Sequence, residues 1–214
     1  MSRIRRTTLT LWILAGIALT ATLAAKAWRR PTSPAVQLEA PVPSNVALGS
    51  VGHFALTDDH GREVRSDDWR GDVWVAGFIF TRCAGPCLRI AGRMALLDQE
   101  LPQEGVRLVC FSVDPEYDTP DVLTRYRATL KLDSERLTFV TGPREPLYRL
   151  IRESFHLAVE PAKDRVDPGE AIAHSTRLVV VDQEGGIRGY YEADDEQEME
   201  RLIGQVHALL GGPS

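Results

Sequence analysis

Cysteine is scarce in this chain: three thiols in 214 residues are too few for a disulfide-built scaffold, so the core must be hydrophobic and the thiols need a separate explanation. Acidic side chains are missing from the first thirty residues, which hold six of the 25 lysines and arginines. The remainder therefore carries 19 basic against 30 acidic side chains, a net of −11, and lacks the basic face that phosphate binding needs. No nucleic-acid partner is expected for such a body. Internal repeats are lacking too. With 43% hydrophobic and 26% charged residues, the composition is that of ordinary globular material rather than a disordered or collagen-like chain.

Residues 1–30 read as an address. Between Arg6 and Lys26, residues 7–25 are uncharged and rich in Leu, Ile and Ala, with Arg3, Arg5 and Arg6 before them. These nineteen residues, at about 1.5 Å each, reach roughly 28 Å, close to the ~30 Å hydrocarbon core of a bilayer. Trp12 and Trp28 stand where the interfaces would be. Positive charge ahead of the segment favours a cytoplasmic N-terminus and an exported body, with Lys26, Arg29 and Arg30 opposing. A retained membrane anchor is the expectation. Ala25-Lys26-Ala27 has the small-x-small form of a cleavage site and keeps a removed signal peptide as the alternative. Either outcome puts residues 31–214 outside the cytoplasm, on the periplasmic or an equivalent side. Pro31, Pro34, Pro41 and Pro43 make residues 31–48 a semi-rigid tether, and the folded body runs over 49–214.

Within the body, residues 54–57 and 63–65 predict a hairpin across Asp58-Asp59-His60-Gly61. Residues 73–80 are almost continuously apolar, the pattern of a strand buried on both faces, and run straight into Thr81-Arg82-Cys83. From Cys83 through Leu88, Ile90, Met94, Leu97 and Leu101, apolar positions recur three and four apart and predict a helix ending before Pro102. Residues 106–113 form a second buried strand, in which Cys110 reads as an inert core thiol. Asp118-Thr119-Pro120 supplies a cap and a first-position proline for a helix through Leu123 and Tyr126. A short strand at 137–140, a helix at 146–157 and a long charged loop at 158–173 ending at His174 follow. A hairpin of 177–181 with 187–191 and a helix at 196–210 close the chain. The alternation implies an α/β fold with a central mixed sheet flanked by helices, and a site at the carboxyl ends of the parallel strands. Cys83 lies at one such end.

Cys83-Ala84-Gly85-Pro86-Cys87 places two thiols where a core strand meets a helix. The unsatisfied N–H groups and positive dipole end of a helix start stabilise a thiolate, so a cysteine there can titrate below about 8.5, and Arg82 and Arg89 push the same way if they face the pair. A thiolate is both nucleophile and soft-metal ligand, so the pair suits disulfide exchange or metal binding. Bonded sulfurs stand about 2.05 Å apart; two sulfurs on one metal, at about 2.3 Å each, stand roughly 4 Å apart. The third residue between the cysteines relaxes the pair toward the wider spacing without forbidding a disulfide. Of five histidines, His174 stands apart: it follows the long loop and precedes a strand, from which its imidazole could face the Cys83 turn and complete a Cys₂His set with an open position. A plain loop histidine is the competing reading. Asp114 with Pro115 reads as a turn former and Asp118 as a helix cap rather than as ligands.

Phe80-Thr81-Arg82-Cys83-Ala84-Gly85-Pro86-Cys87, then Ser112-Val113-Asp114-Pro115-Glu116-Tyr117-Asp118-Thr119-Pro120, then His174-Ser175-Thr176, in that order behind a hydrophobic N-terminal segment, resemble the Sco/SenC family over residues 49–210. The resemblance implies a membrane-anchored, thioredoxin-like protein that binds copper, as Cu(I) or Cu(II), through Cys83, Cys87 and His174. It also implies a role in assembling the binuclear copper site of cytochrome c oxidase. The expected partner is then the copper-accepting subunit of a respiratory oxidase, or another copper or thiol protein. The family's motif has proline after each cysteine; Ala84 and Leu88 stand there in this chain, marking a divergent member. Two functions stay open: a copper metallochaperone, and a membrane-anchored thiol–disulfide oxidoreductase in which one of Cys83 and Cys87 attacks and the other resolves. A thiol peroxidase is a third, since such folds host several chemistries.

Overall fold

The computed structural model describes residues 47–83, 85–161 and 172–211. The expected anchor and residues 31–46 of the tether lie outside them; no helix among the described residues is long and apolar enough to cross a membrane. Strands β1 (Gly49–Ser50), β2 (Ala55–Asp58) and β3 (Glu63–Arg65) open the body, followed by a 3-10 turn (Ser66–Trp69) and β4 (Val73–Ile79). Helix α1 (Pro86–Glu100), β5 (Val106–Ser112), α2 (Pro120–Thr129) and β6 (Leu137–Thr141) come next. Helix α3 (Arg144–Arg149) then continues into a π turn (Leu150–Ser154). Strands β7 (Val159–Pro161), β8 (Ile172–His174), β9 (Arg177–Val181) and β10 (Gly186–Glu192) lead to α4 (Glu196–Gly211).

Eight strands make one mixed sheet in the order β1-β10-β9-β4-β5-β6-β2-β3, and β7 pairs with β8 separately. Strands β4, β5 and β6 run parallel at its centre, with β9 antiparallel against β4. Every residue of β4 is buried, as a strand covered on both faces requires. Gly77, Cys110 and Phe139 are register partners on β4, β5 and β6, so their side-chain positions share one face. Helix α1 covers it. A Cβ on Gly77 would lie 3.1 Å from the Ile90 side chain, so this glycine lets the helix settle close to the strand that carries the cysteine turn. Helix α2 joins the same face through Tyr126, edge-on to Phe139 at 5.9 Å. The opposite face is aromatic: Phe78 stacks on Phe111 at 5.7 Å, and Phe155 meets Phe78 edge-on at 5.1 Å.

Three elements differ from the pattern in the sequence. Helix α1 begins at Pro86 rather than Cys83, because the chain first makes a turn in which Cys83 N–H donates to Phe80 O, and the proline then sets φ at the first helical position. Leu88, placed on the apolar stripe by its spacing, is 41% exposed. The helix expected over 146–157 starts at Arg144 and widens into the π turn, where Phe155 N–H reaches Leu150 O at 3.2 Å. The ends of the expected long loop are a short ribbon, Val159 paired with His174; residues 162–171 lie outside the described residues.

Cys110 is fully buried, as an inert core thiol should be, and burial pushes its thiol from the ordinary 9.0 up to about 12. In the unfolded chain it ionises near 9, so the stability attached to the protonated thiol is complete below pH 9 and is lost as pH rises toward about 12. Cys110→Ala removes that component. Chemical denaturation between pH 9 and 11 is expected to show a shallower decline of unfolding free energy in the variant than in the parent; parallel declines would contradict the assignment.

Candidate metal centre

The site is built where β4 ends. Cys83 follows the strand on a turn, 5% exposed, and Cys87 lies in the first turn of α1 with no exposed surface. The sulfurs are not joined in a disulfide, and Phe80 N–H donates to Cys87 Sγ at 3.4 Å. Burial pushes the Cys87 thiol well above its ordinary value, the Phe80 N–H pulls against it, and the Cys83 contact and the nearby Asp118 charge add to the rise. For Cys87, desolvation works against the thiolate expected of a helix start. The arginines do not rescue it. Arg82 is bonded to Asp114, and Arg89 to Asp194 at 2.9 Å.

Facing this turn is the loop between β5 and α2. Asp118 is fully buried and does not cap α2; that task falls to Thr119, whose side chain accepts from Val122 N–H. Asp118 instead accepts from Thr81 N–H at 3.2 Å, Thr81 Oγ1 at 2.5 Å and Ser112 Oγ at 2.6 Å. Burial lifts this carboxyl above the usual range, and those donors hold the rise back. Asp114 is 2% exposed; its carbonyl accepts from Tyr117 and Asp118 N–H, the turn-forming role expected of it. Its carboxylate takes Arg82 Nε at 3.1 Å as well as Nη2, and the guanidinium lies 4.4 Å over the Tyr117 ring. The clamp on Thr81 and Arg82 escaped the sequence reading. Its one signal was two polar residues directly after a wholly buried strand, with two aspartates after the next.

His174 ends β8. Because β9 runs antiparallel to β4, the start of β9 lies toward the carboxyl end of β4, and His174 precedes that start by three residues. Its imidazole lies outside the described residues, and among the described ones no three His, Cys, Asp or Glu side chains are grouped to hold a metal ion. Of the other histidines, His53 lies beside Asp67 at 3.3 Å and His207 is exposed on α4. The donors that are described fit a soft ion: two sulfurs, almost dry, on either side of one strand-to-helix junction.

A mixed α/β sheet with a dithiol at the turn from a central strand into its helix defines the thioredoxin-like class. Within it, the SCO1/SenC family model matches residues 44–211, and the chain belongs to that family. A protein of Stutzerimonas stutzeri described as copper-binding is 27% identical over 163 residues, covering 73% of this chain and 76% of its own. The solved structure of a SCO1/SenC family lipoprotein from Bacillus anthracis is 26% identical with a TM-score of 0.67, over 78% of this chain and 98% of that one. That of BsSco, described as a Sco-family cytochrome c oxidase assembly protein with a disulfide switch, is also 26% identical, with a TM-score of 0.65 over 78% and 97%.

Two outcomes follow from the geometry. Iodoacetamide at pH 8 is expected to modify Cys83 first and Cys110 last, followed by mass spectrometry of the native protein; equal rates for Cys83 and Cys87 would contradict the burial difference. Arg82→Ala leaves the Asp114 carboxylate, 3% exposed, without its cation, and is expected to cost about 2 to 3 kcal/mol of stability. Adding Asp114→Asn should recover part of that loss, whereas a single variant as stable as the parent would show the pair to be idle.

Proposed function

We propose that the protein is a copper metallochaperone that carries the ion on Cys83, Cys87 and His174 and passes it to the copper-accepting subunit of a respiratory oxidase. The body then works outside the cytoplasm, held at the membrane by residues 7–25. The observation that carries this reading is the pair of nearly dry sulfurs, four residues apart where a central parallel strand turns into its helix. The copper-binding relative and the oxidase-assembly description of BsSco support it.

Chemically, the ion is cargo. Each thiol gives up its proton as a sulfur–metal bond forms, so uptake exchanges protons for Cu(I). The same proton exchange runs backward when a partner's ligands take the ion. An imidazole third donor leaves one side open for those ligands. Titration of the reduced protein with Cu(I) against a chromophoric chelator tests this. Cys83→Ser and Cys87→Ser are each expected to lower affinity by about a hundredfold or more, and His174→Ala by about tenfold. Unchanged affinity in either cysteine variant would reject the reading.

A second reading draws on the disulfide switch described for BsSco. Here the reduced pair attacks a partner disulfide: one sulfur forms the mixed disulfide, the other displaces the partner thiol, and the chain leaves oxidised as Cys83–Cys87 while the partner gains two thiols. Turnover on a partner disulfide without metal, in a protein that binds no Cu(I), favours this second reading over the first.

A further inference from the structure

The geometry points to Asp118 as a positioning residue for the thiol pair, holding the turn that aims both sulfurs without binding the ion itself. This rests on the copper-binding reading. The carboxylate offers about four lone-pair sites, and three donors already occupy its two oxygens: Thr81 N–H, Thr81 Oγ1 and Ser112 Oγ. What those bonds fix is the frame of the sulfurs. Phe80 touches both cysteines, its N–H donating to Cys87 Sγ and its carbonyl accepting from Cys83 N–H. Thr81, the next residue, is held by Asp118 at both backbone and side chain. Arg82, the one after, is held by Asp114, and Ser112 Oγ links the two aspartates by donating to Asp118 and accepting from Asp114 N–H at 3.1 Å.

Residues 80–82 thus form a short rigid base for two sulfurs. Cα atoms across a peptide are about 3.8 Å apart, so Cys83 lies only two such steps from the clamped Thr81 and inherits its direction. Helix α1 supplies the rest of the Cys87 position through Pro86 at its first residue. Releasing Thr81 lets the turn rotate, and a two-sulfur site tolerates little misalignment. A purely structural Asp118 would lower stability alone; a positioning one changes the site at equal stability.

The test compares Asp118→Ala, Asp118→Asn, Thr81→Val and a distant control, Val206→Ala, which loosens the buried face of α4. Each is measured equally far below its own thermal midpoint, with Cu(I) buffered by a chelator and Cu(II) read by its thiolate absorption band. Asp118→Ala is expected to lose at least about tenfold in Cu(I) affinity and to shift the band. Asp118→Asn, which keeps one acceptor for Thr81, recovers part of both, and Val206→Ala behaves as the parent. Thr81→Val removes only the hydroxyl bond and carries the test with about a fivefold loss should Asp118→Ala not fold. Parental affinity and band in a folded Asp118 variant, or an equal loss in Val206→Ala, overturns the proposal. Alkylation of metal-free protein separates it from the copper reading: the gap between Cys83 and Cys87 rates should narrow in Asp118→Ala. A parent that binds no copper sinks the copper reading alone, and the alkylation gap then decides the positioning role by itself.

Discussion

Three hydrogen-bond donors converge on the buried Asp118 carboxylate, and the local path of the chain follows from the need to keep them there. A carboxyl group with no exposed surface is costly unless its oxygens are bonded. The donors come from two segments far apart in sequence: Ser112 at the end of β5, and Thr81 just past the end of β4. Parallel pairing brings those strand ends side by side, since Ile79 and Ser112 are register partners. The strand therefore cannot continue through residue 81, nor can the helix begin there. It begins only after a turn, and that turn carries Cys83.

Two effects compete over the thiols, and the larger is not the one that position alone suggests. A cysteine in the first turn of a helix gains at most a modest electrostatic benefit from the dipole, about 0.3–1 kcal/mol at exposed sites. Full burial disfavours a thiolate far more strongly. Cys87 packs beneath the sheet's end on the face that Gly77 leaves open for α1, so desolvation wins and its thiol stays protonated in the absence of a metal or an attacking partner. The same closeness of helix to strand that builds the site also withholds charge from it. A dry site in which burial keeps Cys87 as a thiol is poorly suited to scavenging any passing electrophile and better suited to a partner or ion that can replace that proton.

How much of this could be read from the sequence depended on whether a feature is periodic or made by contact. The central strands were plain, because residues 73–80 and 106–113 are apolar runs that only a doubly covered strand accommodates. Cys110 fell inside one of them and is inert for that reason. The start of α1 was misplaced by three residues, because Cys83 continues the apolar spacing while Pro86 sets the actual boundary. Asp118 was misassigned to a cap since Asp, Thr and Pro in a row fit one; Thr119 takes that role once tertiary hydrogen bonds claim the aspartate. The π turn after Arg149 has no signature in apolar spacing; it leads into Phe155, which joins the aromatic cluster.

The donors proposed for the ion are held by unequal means. Cys83 and Cys87 sit within one turn and one helix start, both referred to Phe80 and, through the clamp, to the floor of the parallel sheet. His174 belongs to a two-stranded ribbon outside that sheet, tied by backbone pairing to Val159 and joined to β9 by two residues. Under the proposed copper role, a rigid pair and a separately mounted third donor divide the work of a carrier. Tight capture belongs to the sulfurs, whose spacing the sheet sets, whereas release is eased when the remaining donor can leave without disturbing them. A closed site with all donors on one rigid frame would bind as a structural metal does and give its ion up slowly. Under the proposed copper role, this distribution of residues suits transfer better than storage.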